Sequence, residues 1–293
     1  MKKLICLLLS FCLSLSLCAC TEKAPQKKDE EEFRIVTSFY PVYVTTLNLV
    51  EGAEGVSMVN LIDPDIGCLH NYQLTPDDIK KMTGADLFIA SGMGMESFVG
   101  KTSMGIPRLE TLECGEDVPN IIGDEDEIQN SHYWMDIENT INQCEKIKRT
   151  LIRLDPINSA VYEKNAAEYT EKLNSLLAEA KARAEGFGDG SVTVYHDSLE
   201  YFTKELGIGY VTIPSDADLD EYFAVPGAVQ FSHLLVQKSL FDSDAVREIC
   251  KVTGCTPVSI DTLTSGAEDG NDKDAYINAV RHNLDAIAQV LGV

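Results

Sequence analysis

The stretch VYHDSLEYF at residues 194–202 holds a histidine, an aspartate and a serine in three consecutive positions. These are the residue types of a hydrolase catalytic triad. Consecutive side chains at the end of a strand point to different sides, whereas the fold brings the members of a triad together from separate positions. The spacing therefore excludes a self-contained triad. It leaves His196 either as a metal ligand or as an ordinary polar residue at a strand end.

Three of the five histidines, and one aspartate, fall where a strand or the loop after it should end. In an open α/β sheet, ligands bind beyond the carboxyl ends of the strands, so separate segments can bring such side chains together. Three imidazoles and one carboxylate make a tetrahedral set for a divalent metal. The four residues share no fixed local motif, and each one alone is more often an ordinary polar residue at a strand end than a metal ligand. The four residues are His70, His132, His196 and Asp261.

The elements that must position these residues alternate between short β-rich runs and helical stretches, which is the pattern of α/β folding. Strands are predicted at 33–39, 56–62, 85–92, 191–195, 210–214 and 256–260. Helices are predicted from 41, over 75–84, 198–207, 243–254 and 274–291. Residues 215–242 fit neither pattern and are left unassigned.

Apolar residues between 157 and 186 recur at steps of three and four, with charged residues between them. This pattern predicts one amphipathic helix of roughly thirty residues, about 45 Å long. An ordinary surface helix would show the same pattern, but a place near the middle of the chain favours a link between two lobes. The predicted organisation is then an N-terminal α/β lobe over 33–156, a linker helix over 157–187 and a C-terminal α/β lobe over 188–293.

The first twenty residues have two lysines, an apolar run and small residues at the end, which is typical of a secretory signal. Their last four residues, LCAC, resemble a bacterial lipobox, with Cys18 as a departure. Residues 1–19 are then a signal peptide, Cys20 carries the lipid, and the charged segment 20–32 is a disordered tether. A plain signal peptide is the alternative. Either way, we expect the protein outside the cytoplasmic membrane, on the cell surface or in the periplasm.

Composition narrows the classes of function. The formal net charge of −23 repels nucleic acid and anionic lipid, so we expect no nucleic-acid partner. No C-x-x-C pair is present, which excludes a zinc ribbon and a thioredoxin-type motif. Cys250 and Cys255 flank a predicted helix end and would form a disulfide only if oxidised.

Five segments match the sequence motifs of one known family, both in their order along the chain and in the distances between them. They are TSFYPVY (37–43), HNYQLTPDDIKKMTGADLFIASGMGMESFV (70–99), HYWMD (132–136), SVTVYHDSLEYFTKELGI (191–208) and SIDTL (259–263). The segments resemble the solute-binding proteins of ABC importers that carry zinc or manganese, the family of the zinc-uptake periplasmic protein and its lipoprotein relatives. The resemblance runs from about residue 33 to residue 293.

The resemblance implies a ligand set and a fold. It makes His70, His132, His196 and Asp261 the metal ligands. It implies an α/β fold of two lobes, each a parallel-sheet sandwich, joined by a long rigid linker helix with the metal in the cleft between them. Asp136 and Asp197 are then expected to orient imidazoles as outer carboxylates, and Ser198 to cap the helix after it.

Two departures from the family pattern stand out. The family often has Asp-Pro ahead of the second histidine, where this chain has Asn130 and Ser131. The family's Glu-Pro-Gln-Phe-Ser motif is expected near 236–242, where this chain has KSLFD instead. These departures affect the expected packing of the C-terminal lobe and leave the four ligand positions in place.

The function implied is a lipid-anchored monomer that captures Zn²⁺ and delivers it to the permease of an ABC importer. Relatives that favour manganese commonly have a carboxylate as the third ligand, whereas His196 adds a nitrogen, which suits zinc. Mn²⁺ is the second choice. The rivals are a zinc-dependent hydrolase, for which no motif supplies a general base, and a surface adhesin or a lipoprotein that needs no metal.

Overall fold

The computed structural model describes residues 32–63, 69, 72–99, 105–123, 129–188, 190–224, 233–266 and 272–292. The chain divides into two compact units after Glu32, and all the described helices and strands belong to the second unit. The predicted signal peptide and tether with Cys20, and the predicted ligand His70, lie outside the described residues. In the part of the chain that is described, no helix is both long enough and apolar enough to cross a bilayer.

Two separate four-stranded sheets form the framework, and every strand pair in both is parallel. The strand order is β2-β1-β3-β4 in the first sheet and β6-β5-β7-β8 in the second, so both sheets repeat one topology. The first sheet contains β1 (Phe33–Thr37), β2 (Val56–Asn60), β3 (Leu87–Ala90) and β4 (Glu110–Glu113). The second contains β5 (Ser191–Tyr195), β6 (Gly209–Ile213), β7 (His233–Gln237) and β8 (Thr256–Ile260).

Helices connect and cover the strands, as parallel pairing requires. They are α1 (Tyr40–Val50), α2 (Pro76–Met82), α3 (Ile137–Leu154), α4 (Ser159–Phe187), α5 (Glu200–Glu205), α6 (Leu219–Phe223), α7 (Asp244–Thr253) and α8 (Ala275–Leu291). We call the residues before α4 the N-lobe and those after it the C-lobe. The predicted α/β fold of two parallel-sheet lobes joined by a long helix is confirmed.

The linker helix α4 has 29 residues and lies close to its predicted bounds. Its predicted apolar stripe is buried, from Tyr162 through Leu173 to Ala180. Helix α3 packs along it and was not predicted, although its apolar residues recur at steps of three and four, beginning with Ile137, Ile141 and Cys144. Burial of a stripe on each helix supplies most of the stability of such a pair.

Helix α4 is also joined to α8 by a row of ion pairs. Lys172 lies 2.9 Å from Asp274, Glu179 lies 3.0 Å from Arg281, and Arg183 pairs with Asp285. Each pair joins two residues that are 102 positions apart, so the two helices run parallel without a shift in register. Exposed pairs each contribute well under about 1 kcal/mol. Their constant spacing nevertheless shows that the linker helix lies in register with α8 of the C-lobe.

Hydrogen bonds hold two local features of the segment 72–99, the start of α2 at Thr75 and the loop after β3 that contains Gly92 and Glu96. Thr75 caps α2 in a capping box, where Asp78 accepts from the Thr75 amide at 2.8 Å. In the loop after β3, Gly92 has a φ of +85°, which glycine adopts without strain. The buried Glu96 carboxylate accepts from the amides of Ser91 (2.8 Å) and Gly92 (2.9 Å) and closes this loop.

The structure corrects the prediction that Ser198 caps a helix. It also shows two elements within residues 215–242, which the sequence left unassigned. The Ser198 hydroxyl donates to Gln237 Oε1 at 2.9 Å instead of capping α5, because β7 brings that amide alongside. Helix α6 and strand β7 both lie within 215–242. Cys250 and Cys255, both among the described residues, are not joined by a disulfide bond.

A buried asparagine joins the last helix to the end of the last strand. Asn283 on α8 is fully buried, and its amide oxygen accepts from the Asp261 amide at 2.8 Å. Its amide nitrogen donates to the Asp261 carbonyl, also at 2.8 Å. The backbone of the predicted ligand Asp261 is therefore held at both polar groups by one side chain.

Replacement of Asn283 by leucine should destabilise the protein by about 2–4 kcal/mol, because two backbone groups of Asp261 lose their partner inside the protein. Urea unfolding followed by the fluorescence of Trp134, the single tryptophan, measures the loss. Asn174→Leu is the matched control, since Asn174 is exposed and its hydrogen bond to a described residue is to Thr170 on its own helix. Equal stability of the two variants would contradict the role given to Asn283.

One contact between the lobes involves a buried carboxyl oxygen. Glu205 at the end of α5 accepts from the amide of Ile137, the first residue of α3, at 3.0 Å. Its other carboxylate oxygen is buried and has no partner among the described residues. Burial, with the nearby charge of Asp136, raises the pKa of Glu205 to about 8, although the Ile137 amide acts in the opposite direction.

The raised pKa sets the sign of a pH effect on stability. The folded protein holds the Glu205 proton up to a higher pH than the unfolded chain, whose value is near 4.5. Stability is therefore lost as the pH rises from about 4.5 to about 8. Glu205→Gln should remove this loss, so its gain in unfolding free energy should be small near pH 5 and should reach about 3 kcal/mol near pH 8.

Thermal and urea unfolding of Glu205→Gln across this pH range provides the measurement. Glu110→Gln is the control, because the ion pair of Glu110 with Arg153 lowers the pKa of that carboxyl. The control should give no gain at any pH. A gain for Glu205→Gln that does not depend on pH would show that charge burial is not the cause.

Candidate metal centre

Two buried histidines and an aspartate form the one group of possible metal ligands found among the described residues. The ligand atoms of His132, His196 and Asp197 all lie within 4.8 Å of one another. The two imidazole rings meet edge to face, with centroids 5.2 Å apart and an angle of 84°. Both rings are buried, whereas the Asp197 side chain is about half exposed. The group can therefore present two nitrogens and one oxygen to a cation at the junction of the lobes.

His132 belongs to the N-lobe and precedes a single turn of 3₁₀ helix formed by Tyr133–Met135. The aromatic residues of this turn are fully buried and fix its direction. The Trp134 ring lies 5.2 Å from the His132 ring, and its indole N–H donates to the carbonyl of Thr262 at 2.9 Å. Because Thr262 follows Asp261, this bond ties the His132 turn to the segment that carries another predicted ligand.

His196 belongs to the C-lobe and directly follows β5. Its φ of +84° lies in the left-handed region that a side chain with a Cβ rarely adopts. Such backbone strain costs on the order of 1–3 kcal/mol and persists only where the surroundings impose it. The conformation turns the imidazole toward His132 instead of along the strand.

The Nδ1 atom of His196 has two close neighbours. It lies 2.8 Å from Asp197 Oδ1 and 3.0 Å from the amide nitrogen of Ser198. The amide N–H needs a lone pair on Nδ1, whereas the carboxylate needs a proton or a cation beside that nitrogen. A metal bound at this nitrogen would displace the Ser198 N–H, because Nδ1 has a single lone pair, and it would then lie next to the Asp197 carboxylate oxygen.

Asp261 lies at the end of β8 but outside the group of three. One carboxylate oxygen accepts from the Leu263 amide at 2.8 Å, and the other lies 3.7 Å from Lys238 Nζ. The side chain lines a cavity of about 680 Å³ with Tyr40, Lys238 and His282 among its other walls. The structure therefore brings two of the predicted ligands, His132 and His196, together. It holds Asp261 at the end of β8, outside that group. His70 lies outside the described residues, and the predicted set of four stays a prediction.

Asp136 was predicted to orient an imidazole, but in the structure its carboxylate bonds to other groups. Its carboxylate accepts from the Asn139 amide at 2.8 Å and from Asn120 Nδ2 at 3.0 Å, so it caps α3. Within the described residues it has no hydrogen bond to an imidazole. Burial raises its pKa, which the cap bonds partly offset. Sequence reasoning missed that a helix starts directly after this residue, and the N-cap pattern Asp-x-x-Asn was the available signal.

Comparison with known proteins gives one family. Residues 35–290 match the family model for zinc-uptake complex component A periplasmic, ZnuA. The manganese ABC transporter substrate-binding lipoprotein PsaA of Streptococcus anginosus is 27% identical over 315 residues, covering 99% of each chain. The high-affinity zinc uptake system protein ZnuA of Bacillus subtilis is 24% identical over 289 residues, covering 89% of this chain and 88% of its own.

Solved structures agree on the fold. The SBP FpvC from Pseudomonas aeruginosa in complex with Mn²⁺ has a TM-score of 0.77 at 23% identity, covering 89% of this chain and 98% of its own. At that identity the likeness shows the fold alone, while the family match spans most of the chain. The chain therefore belongs to the ZnuA family of metal-binding proteins, which are substrate-binding components of ABC importers and not enzymes.

Proposed function

We propose that this protein captures Zn²⁺ outside the cytoplasmic membrane, where a lipid on Cys20 holds it, and passes the ion to an importer permease. The observation that carries the proposal is the pair of buried imidazoles of His132 and His196, one from each lobe, with centroids 5.2 Å apart. In a tetrahedral zinc site with Zn–N distances of about 2.0–2.1 Å, neighbouring ligand atoms are about 3.4 Å apart. The ligand atoms of His132, His196 and Asp197 already lie within 4.8 Å of one another, so an approach of about 1.4 Å at most would bring them to that spacing.

His70 and Asp261 complete the proposed ligand set. Two bonds support Asp261 as a ligand. Asn283 holds its backbone, and the bond from Trp134 to Thr262 joins its segment to the turn that follows His132. A metal held by ligands from both lobes would link the lobes directly. Release of the metal to the permease then requires the segment that carries Asp261 to move. The exposed Lys238 beside Asp261 offers that carboxylate a second cation partner.

The choice of zinc follows from the donor atoms. Nitrogen from imidazole suits Zn²⁺ better than Mn²⁺, and the usual affinity order also favours zinc at a shared site. His196 supplies nitrogen at a position where a carboxylate would favour the harder ion. The net charge of −23 attracts cations of either kind and does not distinguish between them.

Manganese is the second candidate, and two observations favour it. The carboxylate of Asp197 lies within the same group of three, so an oxygen donor is available next to His196. Oxygen ligands suit Mn²⁺. In addition, a relative named for manganese is 27% identical to this chain along 99% of its length.

Titration of metal-stripped protein with Zn²⁺ and with Mn²⁺ tests the proposal. We expect one tight zinc site per chain, lost in His132→Ala and in His196→Ala, because each variant removes one of the two buried nitrogens. His282→Ala, an exposed histidine on α8, should bind zinc as the unmodified chain does. Absence of a tight zinc site in the unmodified chain would contradict the proposed function.

The choice of metal has its own test. His196→Glu replaces a nitrogen donor with an oxygen donor, so the ratio of zinc affinity to manganese affinity should fall by about tenfold or more. Competition titrations of both metals against one chelator measure that ratio. Asp197→Asn separates the candidates further, since it should weaken manganese more than zinc if Asp197 is a ligand. A ratio unchanged by His196→Glu would place His196 outside the metal's ligands.

A further inference from the structure

Asn130 stands two residues before His132 and bonds to it twice. Its side chain is buried, and its amide oxygen accepts from the His132 backbone N–H at 3.0 Å. The same oxygen lies 2.9 Å from Nδ1 of the His132 ring. Both contacts are short enough for good hydrogen bonds. The orientation of the His132 imidazole is therefore coupled to the position of one amide oxygen.

The rest of Asn130 reaches the other lobe. Its amide nitrogen donates to the carbonyl of Asp197 at 2.8 Å and to Glu200 Oε2 at 3.2 Å. Its own backbone carbonyl accepts from the Tyr201 hydroxyl at 2.9 Å. Glu200 is fixed in turn, since its second oxygen accepts from Thr212 Oγ1 on β6 at 2.6 Å. Asn130 thus connects His132 to the segment that follows His196.

These bonds determine which nitrogen of His132 carries the proton. A backbone carbonyl and a carboxylate only accept, so the Asn130 atom facing Asp197 and Glu200 is the NH₂ group. The atom facing His132 is therefore the oxygen, which also only accepts. Nδ1 of His132 must then be the donor, and the neutral ring keeps its lone pair on Nε2.

We propose that Asn130 is a positioning residue that holds His132 in the Nδ1–H tautomer and ties that ring to the C-lobe segment carrying His196 and Asp197. The proposal rests on the proposed function, because it concerns a ligand of the same site. In this tautomer Nε2 carries the lone pair that can bind a metal, and the Nδ1–H has a fixed acceptor in Asn130. Outer partners of this kind orient a ligand and increase its basicity.

An asparagine performs both tasks where an aspartate could perform only one. A carboxylate at position 130 would still accept from His132. It would have no hydrogen to donate to Asp197 or Glu200, and it would place a second negative charge beside the Glu200 carboxylate. The two functions of Asn130 can therefore be separated by two substitutions.

The experiment compares Asn130→Ala, Asn130→Asp and Asn165→Ala in metal-stripped protein. Long-range ¹H–¹⁵N spectra of protein labelled in its histidines report the tautomer of each neutral ring, and His132→Gln identifies the His132 signals. Titration with Zn²⁺ alone gives the affinity. Asn165→Ala is the matched control, because Asn165 also donates to two backbone carbonyls, those of Leu49 and Glu51, away from the imidazoles.

In Asn130→Ala we expect His132 to shift toward the Nε2–H tautomer, which neutral imidazole prefers in water, and zinc affinity to fall by about 10- to 100-fold. Asn130→Asp should keep the Nδ1–H tautomer while zinc affinity still changes, because the bonds to the C-lobe are lost. Asn165→Ala should change neither quantity. Because Asn130→Asp keeps the acceptor, it also serves if the alanine variant does not fold.

An unchanged His132 tautomer in Asn130→Ala, or an equal loss of zinc affinity in Asn165→Ala, would overturn the inference. The tautomer is measured without metal, so this result does not depend on the proposed function. A failure of the unmodified protein to bind zinc would instead contradict the proposed function. The two failures are thus distinguishable.

Discussion

The close approach of His132 and His196 at the junction of the lobes is the contact on which the rest of the structure depends. Burial of two imidazoles is unfavourable unless their polar atoms have partners. The surroundings supply those partners from both lobes, through Asn130 on one ring and the Ser198 amide on the other. The strained backbone at His196 belongs to the same arrangement, because an unstrained strand end would direct that ring elsewhere.

This contact needs lobes that do not slide past each other. The linker helix α4 packs on α3 and α1 of the N-lobe and on α8 of the C-lobe. The ion pairs between α4 and α8 keep the two helices in register, although each pair is exposed and weak. Glu205 adds a bond from the C-lobe to the first turn of α3 at the cost of burying a carboxyl. Rigidity therefore comes from packed helices, and the polar bonds set the alignment.

Sequence reasoning predicted most of the framework and only part of the site. Strands β5 and β8 were predicted with their observed bounds, because each is a short run of β-branched residues between turn signals. Helix α3 was missed although its apolar residues stand at helical spacing, so the sequence did carry the signal for it. The partners of Ser198 and Asp136 could not be predicted, since Gln237 reaches Ser198 only through the sheet and Asn120 reaches Asp136 through a loop.

Asn130 shows most clearly what a sequence alone does not reveal. In the sequence it was only a departure from an expected Asp-Pro pair. Its partners Asp197 and Glu200 lie 67 and 70 residues further along the chain, beyond any local pattern. Because these partners can only accept, a neutral amide at position 130 satisfies them and His132 together, which an aspartate cannot do. The departure is therefore a consequence of how this chain joins its two lobes, and the residue at 130 has to be judged with Glu200 and not by itself.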